Sequence, residues 1–305
     1  MSTAAADLIA RMNVAVIDVG SNTVRLLLAS VNGGRMRVLE ERTAWIRLGK
    51  DITATGSISE QRLYAAAKAV AEFATEARRR GATRVETLVA SPGRQAENGT
   101  ELLRRLEAAS RTSVRVLRRD EEASLAYEGA VGAARLDGGT VAVVDVGGGS
   151  TQIAIGLAGY GPSWLRSMDI GSLRLTAMAL EQDPPGKKAV AAARHLVIEQ
   201  FDGLAPPLPQ QVLAVGGSAR GLRRLVGTRT LGPDELQEAI RRLRKEPSAE
   251  IADECGINPE RARTLLGGAL ILAEVQRRLL MPLVVGRGGV REGAALSLAA
   301  QQSAA

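Results

Sequence analysis

Cysteine and histidine are almost absent from this sequence of 305 residues, which contains only Cys255 and His195. A single cysteine excludes an internal disulfide and a zinc site built from several cysteines. A single histidine excludes a metal centre of several histidines, and a Ser-His-Asp triad would depend entirely on His195. Neither residue has a suitable partner near it in the sequence, so we predict structural roles for both. Any catalysis must therefore use carboxylates, hydroxyls, backbone amides or arginine.

Aromatic residues and long apolar runs are also scarce. Aromatic side chains make up 2% of the chain, too few for the stacking platform of a single-stranded nucleic-acid binder, so we predict no nucleic-acid partner. The most apolar run, residues 265–275, is too short and too glycine-rich to span a bilayer. Residues 1–12 lack the basic region and apolar stretch of a signal peptide. We expect a cytoplasmic protein with no membrane partner.

Positive charge is present in excess, and arginine supplies most of it. The net charge is +7, and because the chain has five lysines, 35 of its 40 basic residues are arginine. Arginine binds phosphate in a bidentate manner, and a basic protein attracts polyanions. A general bias of composition toward arginine explains much of this excess equally well. The charge therefore suggests an anionic partner without identifying one.

An internal repeat is the most informative pattern in the sequence. Residues 14–20 read VAVIDVG and residues 141–147 read VAVVDVG. In each copy a β-branched run ends in aspartate, followed by a polar turn and a second apolar run, which predicts a β-hairpin. Copies separated by more than one hundred residues predict two similar α/β domains. A typical domain length of roughly 150 residues also predicts two domains for a chain of this size.

The turns of both copies have the composition of a phosphate site. In the second copy, DVGGGST at 145–151, glycines let backbone amides approach an oxyanion and hydroxyls add donors. An aspartate at the strand end can hold a divalent cation. A tight hairpin with no ligand is the alternative for one such turn. The segment DVGSNT at 18–23 repeats the pattern. The repeat favours a site in which two facing hairpins bind a phosphate chain from both sides.

Three further segments carry weaker signals. AVGGS at 214–218 leads a predicted strand into a helix N-terminus, which favours anions, although an ordinary strand–helix turn explains it as well. RDEEA at 119–123 begins a helix, where acids commonly interact with the dipole; the functional alternative is a carboxylate directed at water. Arg94 follows a predicted strand, where α/β sheets place ligand groups, although a solvated arginine is the default interpretation.

The ordered set of these motifs resembles the exopolyphosphatase/guanosine pentaphosphate phosphohydrolase (Ppx/GppA) family of the actin-like ATPase superfamily. The resemblance extends from about residue 13 to about residue 300, and the motifs occur in the family's order. The matching segments are AVIDVGSNTVRLLLA, IRLG followed by TGSIS, the segment around Arg94, DEEASLAYEGAV, VVDVGGGSTQIAIG, DIGSLRLTAM, AVGGSARGL and VREGAAL.

The resemblance implies an α/β fold with two ribonuclease-H-like (actin-like ATPase) domains and a cleft between them. We expect an N-terminal domain at 1–126 and a C-terminal domain at 127–305, with a final helix at 290–303 packing back on the first domain. The chain is similar in length to the short members of the family that lack C-terminal helical domains. Since dimers are common among soluble enzymes, we expect a homodimer.

The resemblance also implies an activity and a set of site residues. The family hydrolyses the terminal phosphoanhydride of inorganic polyphosphate or of guanosine pentaphosphate (pppGpp) with Mg²⁺. By position, Glu122 would be the general base that activates water, and Asp145 would bind the metal with help from Asp18. The implied phosphate-binding residues are Ser21, Asn22, Arg94, Gly147, Gly148, Ser150, Thr151, Gly217 and Ser218.

Exopolyphosphatase is the preferred interpretation of this set, and three alternatives remain open. They are a pppGpp 5′-phosphohydrolase, a weakly active or non-catalytic binder of polyphosphate or nucleotide, and, less favoured, an actin-like ATPase or sugar kinase. Gln152 stands where the family usually has glutamate, and a neutral side chain adds no anionic charge for a metal. We therefore expect a lower rate or an altered metal preference. Residues 91–93 and 119–120 also depart from the family's usual residues, but Glu122 is present.

Overall fold

The computed structural model describes residues 12–136 and 138–303, so nearly all of the 1–12 segment, for which no signal peptide is predicted, lies outside the described residues. In the first part of the chain the elements are β1 (Met12–Val19), β2 (Thr23–Asn32), β3 (Arg35–Trp45), α1 (Leu48–Thr55), α2 (Glu60–Arg79), β4 (Arg84–Val89), α3 (Ser91–Gln95), α4 (Gly99–Ser110), β5 (Ser113–Val116) and α5 (Arg119–Ala134).

The second part of the chain repeats the alternation of strands and helices. Its elements are β6 (Thr140–Val146), β7 (Thr151–Leu157), β8 (Gly161–Met168), α6 (Ser172–Ala179), α7 (Lys187–Gln200), β9 (Gln211–Val215), α8 (Gly216–Val226), β10 (Thr230–Leu231), α9 (Pro233–Leu243), α10 (Ser248–Cys255), α11 (Pro259–Arg263), α12 (Leu265–Leu279), β11 (Leu283–Val285) and α13 (Val290–Ser303). Among the described residues, no helix combines the length and apolar character needed to cross a bilayer.

The two halves form mixed sheets with the same arrangement. The first sheet has the order β3-β2-β1-β4-β5, in which β1 is antiparallel to β2 and parallel to β4. The second has the order β10-β11-β9-β6-β7-β8, in which β6 is antiparallel to β7 and parallel to β9. Both repeat copies therefore form the predicted hairpins. The predicted α/β fold with two ribonuclease-H-like sheets is confirmed.

Alternate side chains of the central strands face different cores, which explains why these strands are apolar throughout. In β1, Ala15 and Ile17 belong to a core shared with α2 and α4, whereas Val14 and Val16 pack with α13. Successive residues of a strand point to opposite faces of the sheet. A strand covered on both faces therefore reads as a continuous apolar run, as β6 also does.

The fold differs in places from what periodicity predicts. The apolar spacing over residues 259–279 predicts one helix, whereas in the structure Thr264, whose ψ of 2° lies outside the helical range, divides this segment into α11 and α12. Periodicity also does not predict β3. This strand lies at the edge of the first sheet, and its many charged side chains hide the alternation of a half-buried strand. Charged residues are a common feature of edge strands because they oppose pairing with other chains.

Helix α13 returns from the second sheet to the first, where Ala294, Ala295 and Leu298 pack with side chains of β1 and β2. It crosses α5 with the two backbones in contact. A Cβ atom at Gly129 would lie 2.1 Å from the carbonyl oxygen of Gly289. Helix α5 spans the predicted boundary at 126/127, and Ala123 and Tyr127, one on each side of it, both pack against the second sheet, whereas Leu125 packs with β1 and β2. The boundary itself stays a prediction.

The close crossing predicts that Gly129→Ala destabilises the protein. The added methyl group would overlap backbone atoms, which cannot rotate away as a side chain can, so the melting temperature should fall by roughly 2–10 °C. Gly132→Ala in the same helix is the matched control, because its Cβ would meet only Leu296 Cδ1 at 3.6 Å. That variant should be neutral or slightly stabilising, as alanine is the better helix former. Equal melting temperatures for the two variants would contradict the prediction.

Candidate active site

A polar cavity of about 100 Å³ lies between the β1–β2 and β6–β7 hairpins. Side chains or backbone from both sheets, from the first turn of α5 and from the start of α13 line it. Neither His195 nor Cys255 lines this cavity, and their structural roles stay predictions. Of the residues predicted from the sequence, the cavity brings together Asp18, Ser21, Asn22, Glu122, Asp145, Gly147, Gly148, Ser150 and Gly217.

The two hairpin turns have the same local structure and touch each other across the cleft. The amide of Gly20 donates to the carbonyl of Thr23 at 2.9 Å, and that of Gly147 donates to Ser150 at 3.0 Å. A Cβ atom at Gly148 would lie 3.2 Å from the backbone nitrogen of Asn22. Glycine at this position therefore lets the turns approach closely enough for both to contact one small anion.

One donor in this cavity has no partner within the protein. The Nδ2 atom of Asn22 is buried and makes no hydrogen bond to any described residue. An unpaired buried donor is costly, and native structures rarely leave one without a partner or a ligand. A phosphate oxygen between the turns would satisfy it.

Asp18 and Asp145 occupy equivalent positions, each one residue before the end of its strand, β1 or β6. Burial raises the pKa of Asp18 to about 6 against the opposing effect of Arg25 and Arg291, and the nearby Asp145 raises it further. Burial also raises the pKa of Asp145, which Arg220 and Arg25 lower. Two buried carboxylates that repel each other favour a bound cation.

This pair of carboxylates suits Mg²⁺. Within residues 12–136 and 138–303 no group of three or more histidine, cysteine or acidic residues forms a complete metal cage. Mg²⁺ does not require one, since it prefers oxygen ligands, keeps several waters and commonly takes one or two carboxylates plus substrate phosphates. The residues present therefore fit the ion that the family resemblance implies.

Glu122 lies in the first turn of α5 and is buried with its carboxylate held by Arg94. The Arg94 Nη2 atom donates to Glu122 Oε2 at 2.7 Å, and Nη1 donates to the carbonyl of Leu117 at 2.6 Å. Burial raises the pKa of Glu122 to about 7, and this effect exceeds the lowering by Arg94. A carboxylate with a pKa near neutrality is suited to accept a proton from water.

Three predicted phosphate-binding residues lie outside the cavity lining. Arg94 is directed at Glu122 and Leu117, whereas the hydroxyl groups of Thr151 and Ser218 donate to the backbone carbonyls of Ile170 and Val146 at 2.6 and 3.2 Å. These hydroxyls hold the loops that form the cavity. Direct phosphate contacts of the three residues stay predictions.

The start of α8, directly after β9, needs glycine where it approaches Asp145. Gly216 has a φ of +85°, and a Cβ atom there would lie 2.3 Å from Asp145 Oδ1. The guanidinium group of Arg261 lies directly over Gly217, where a Cβ atom would be 2.2 Å from its Nη2. Burial lowers the pKa of Arg261 to about 10. The close packing at the start of α8 thus places the Arg261 cation near the carboxylate of Asp145.

Sequence reasoning did not identify the arginines that line the cavity. Arg25 pairs directly across the β1–β2 hairpin with Asp18, a register that the motif itself contains. Burial lowers the pKa of Arg25 to about 9, and repulsion from Arg291 and Arg220 contributes. Helix α8 supplies Arg220 and helix α13 supplies Arg291, and no local pattern in the sequence links either residue to the hairpins. Arg25, Arg220, Arg261, Arg291 and Glu292 are lining residues without a sequence prediction.

Contacts across the cleft hold the two halves together around the cavity. Arg47 pairs with Glu260, and the Arg261 guanidinium lies 5.3 Å from the centre of the Trp45 ring. On the other side Gln95 donates to Asp169 at 3.0 Å. These contacts join β3, the residue before α1 and α3 to the second half of the chain across the cleft.

Comparisons with known proteins identify the family of this chain. The model of the Ppx/GppA phosphatase family matches residues 27–302. Exopolyphosphatase 2 of Mycobacterium tuberculosis is 29% identical over 94% of this chain and 98% of its own length. Exopolyphosphatase 1 of the same organism is 28% identical over 92% of this chain and 87% of its own length. The crystal structure of the Aquifex aeolicus Ppx/GppA family member is 25% identical, with a TM-score of 0.80, and 96% of this chain and 99% of that chain are covered. This chain therefore belongs to the Ppx/GppA phosphatase family.

Proposed function

We propose that this protein is an Mg²⁺-dependent exopolyphosphatase that hydrolyses the terminal phosphoanhydride bond of inorganic polyphosphate. The observation that carries the proposal is the placement of buried Glu122 beside a cavity that the turns of the β1–β2 and β6–β7 hairpins enclose. Relatives named exopolyphosphatase over nearly the whole chain support this choice of substrate. A cytoplasmic location and a homodimer remain predictions.

In the proposed reaction Glu122 accepts a proton from the attacking water. The water oxygen forms a bond to the terminal phosphorus, and the bond from that phosphorus to the bridging oxygen breaks. The shortened chain leaves with the bridging oxygen, and the released group is orthophosphate. Arg94 orients the carboxylate of Glu122 through its 2.7 Å hydrogen bond. Such a reaction needs positioning and charge neutralisation more than covalent catalysis.

The remaining lining residues position and neutralise the substrate. Backbone amides of the two turns, with Asn22 Nδ2, would bind oxygens of the terminal phosphate. Arg25 would neutralise charge from the side of the first hairpin. Asp18 and Asp145 would hold Mg²⁺, which when bound supplies neutralisation of the developing charge on the phosphate oxygens.

The experiment that tests this proposal compares orthophosphate release from short polyphosphate, long polyphosphate, pppGpp and ATP with Mg²⁺. We expect release from polyphosphate, at a higher kcat/KM than from the other substrates, and its loss in a Glu122 variant. Preferential release from pppGpp would instead indicate the 5′-phosphohydrolase. Absence of release from all four would favour a non-catalytic binding protein, an alternative that Gln152 supports.

Gln152 provides a prediction about the metal. Its Nε2 atom donates to Ser150 Oγ at 2.9 Å, and the residue is buried opposite Asp145 in the β6–β7 hairpin. Gln152→Glu adds a carboxylate beside the proposed cation, so the Mg²⁺ concentration for half-maximal activity should fall roughly tenfold. Orthophosphate release across a Mg²⁺ titration measures it. The control is Gln237→Glu, which introduces the same charge at an exposed position on α9 that does not line the cavity. Superimposable Mg²⁺ curves for Gln152→Glu and the wild type would refute the prediction.

A further inference from the structure

Asp169 joins the two elements that carry the proposed base and its arginine partner. It follows β8 directly and lies outside the lining of the catalytic cavity. Its Oδ1 atom accepts a hydrogen bond from Gln95 Nε2 at 3.0 Å, and its Oδ2 atom accepts one from Arg119 Nη2. Gln95 lies on α3 and Arg119 on α5. One carboxylate from the second part of the chain therefore holds two elements of the first.

The partners of Asp169 are neighbours of Arg94 and Glu122. Gln95 follows Arg94 on α3, and Arg119 begins the helical turn that contains Glu122. Helices α3 and α5 are therefore connected twice. The Arg94–Glu122 pair connects them directly inside the protein, and Asp169 connects them at a more exposed position.

The segment that begins with Asp169 and leads into α6 is fixed to the turn between β6 and β7. The amides of the first two residues of α6 donate to the carbonyl oxygens of Gly147 and Gly148 at 2.9 and 3.0 Å. At Gly171, a Cβ atom would lie 2.5 Å from the carbonyl carbon of Gly148, so the two backbones are in direct contact. A displacement of this turn would therefore carry Asp169 with it.

The contact between Arg119 and Asp169 has a larger consequence for geometry than for stability. The two side chains are 55% and 34% exposed, and exposed ion pairs contribute little to the stability of a fold. In contrast, a displacement of about 1 Å at the reacting groups can lower a rate by roughly 10²-fold. A contact at the first turn of α5 therefore matters most through the position that it gives to Glu122.

We propose that Asp169 is a positioning residue, which holds the first turn of α5, and with it Glu122, in place relative to the β6–β7 turn. This inference rests on the proposed function, in which Glu122 activates water and the β6–β7 turn binds the terminal phosphate. Arg94 connects Glu122 only to α3 and to the carbonyl of Leu117, which both belong to the first part of the chain. Asp169 connects the same turn of α5 to the second part.

The first test measures orthophosphate release by two variants of Asp169. Asp169→Ala removes both acceptors, and we expect kcat to fall roughly tenfold because the base is displaced. The KM for polyphosphate should stay within about twofold of the wild type, because Asp169 does not line the cavity. Asp169→Asn keeps an oxygen that can accept from Gln95, so it should retain more than about a third of the wild-type kcat. This variant also serves if the alanine variant does not fold.

Asp183→Ala is the matched control. Asp183 also joins two segments, since it accepts hydrogen bonds from the amide and the hydroxyl group of Ser248 at 3.1 and 2.5 Å. Both of these segments belong to the second part of the chain, and neither residue lines the catalytic cavity. The kcat of this variant should stay within about twofold of the wild type.

A double-mutant cycle with Glu122→Gln separates positioning of the base from a general structural role. In the Glu122→Gln background there is no base to position, so adding Asp169→Ala should lower the residual kcat less than twofold. A residue with only a structural role would lower it roughly tenfold again, because independent effects add in free energy. Circular dichroism and melting temperatures check that the single and double variants are folded.

Hydrogen exchange measured by mass spectrometry tests the same inference without activity. The amide of Glu122 donates to the carbonyl of Arg118 at 2.9 Å, within the turn that Asp169 holds. In Asp169→Ala, peptides that cover this turn should exchange several-fold faster than in the wild type, because local opening becomes easier. In Asp183→Ala, the same peptides should exchange at the wild-type rate.

The outcomes distinguish failure of this inference from failure of the proposed function. The inference is wrong and the proposed function stands if the wild type hydrolyses polyphosphate while Asp169→Ala retains more than half of its kcat. An equal loss from Asp169→Ala in the wild-type and Glu122→Gln backgrounds would lead to the same conclusion. If the wild type hydrolyses no substrate, the proposed function is wrong, and hydrogen exchange decides whether Asp169 holds the turn. Equal exchange in the wild type and both alanine variants would then overturn the inference.

Discussion

Replacing Glu122 with glutamine is expected to lower the kcat for polyphosphate hydrolysis by roughly 10²–10⁴-fold, the range for loss of a general base. Glutamine has nearly the shape of glutamate, and its amide oxygen can still accept the hydrogen bond from Arg94. It cannot accept a proton from water at neutral pH. Orthophosphate release at saturating polyphosphate measures the effect, and circular dichroism checks that the variant is folded.

The pH profile separates loss of a base from a general structural effect. Because burial raises the pKa of Glu122 to about 7, most of this side chain is protonated below that pH and cannot act as a base. The wild-type kcat/KM should therefore rise as pH increases through about 7, and the residual activity of the glutamine variant should lack this rise.

Glu121→Gln is the matched control, one residue earlier in the same turn of α5. Glu121 pairs with Arg115 and does not line the catalytic cavity. Its replacement should leave the rate within about twofold of the wild type, as for other surface charge changes. Retention of more than a tenth of the activity by Glu122→Gln, or an equal loss in Glu121→Gln, would contradict the assignment of Glu122 as the base.

Asp145→Asn is expected to lower activity by roughly 10²–10³-fold at low Mg²⁺, because metal-ion neutralisation contributes several kcal/mol to such reactions. Asparagine retains the size of the side chain but removes the charge that would hold the cation. High Mg²⁺ should restore part of the activity, since Asp18 remains as a carboxylate at the equivalent hairpin position. A Mg²⁺ titration of orthophosphate release measures both effects.

The control for this prediction is Asp202→Asn, an exposed aspartate after α7 that does not line the cavity. It makes the same chemical change and should leave the Mg²⁺ dependence unaltered. If the activity and Mg²⁺ dependence of Asp145→Asn equal those of the wild type, Asp145 is not part of the proposed metal site. The β6–β7 hairpin would then have lost the main support for a bound metal.

The geometry of Arg94 also changes the interpretation of the site. The resemblance implies a phosphate contact for this residue, whereas in the structure its guanidinium group contacts Glu122 and Leu117. Its Nε atom is buried with no hydrogen-bond partner among the described residues. The observed partner of Arg94 is therefore the carboxylate of the proposed base and not a phosphate-binding turn.

Local patterns in the sequence determined the elements that carry the site. A β-branched run, an aspartate and a polar turn specify a hairpin through interactions among neighbouring residues, and both hairpins formed as predicted. The acidic start of α5 likewise placed Glu122 in the first turn of a helix. The positions of Asp18, Asp145 and Glu122 at the ends of their elements could therefore be predicted without a structure.

Only the tertiary structure decided which side chains meet in the cavity. Arg220 and Arg291 reach it from helices far from the hairpins in sequence, and Thr151 and Ser218 point instead to backbone carbonyls. Such contacts depend on how α5 and α13 cross and on how the two sheets close, which many weak packing interactions specify together. Residue type and spacing report local hydrogen bonding and burial, whereas the meeting of distant side chains depends on the fold as a whole.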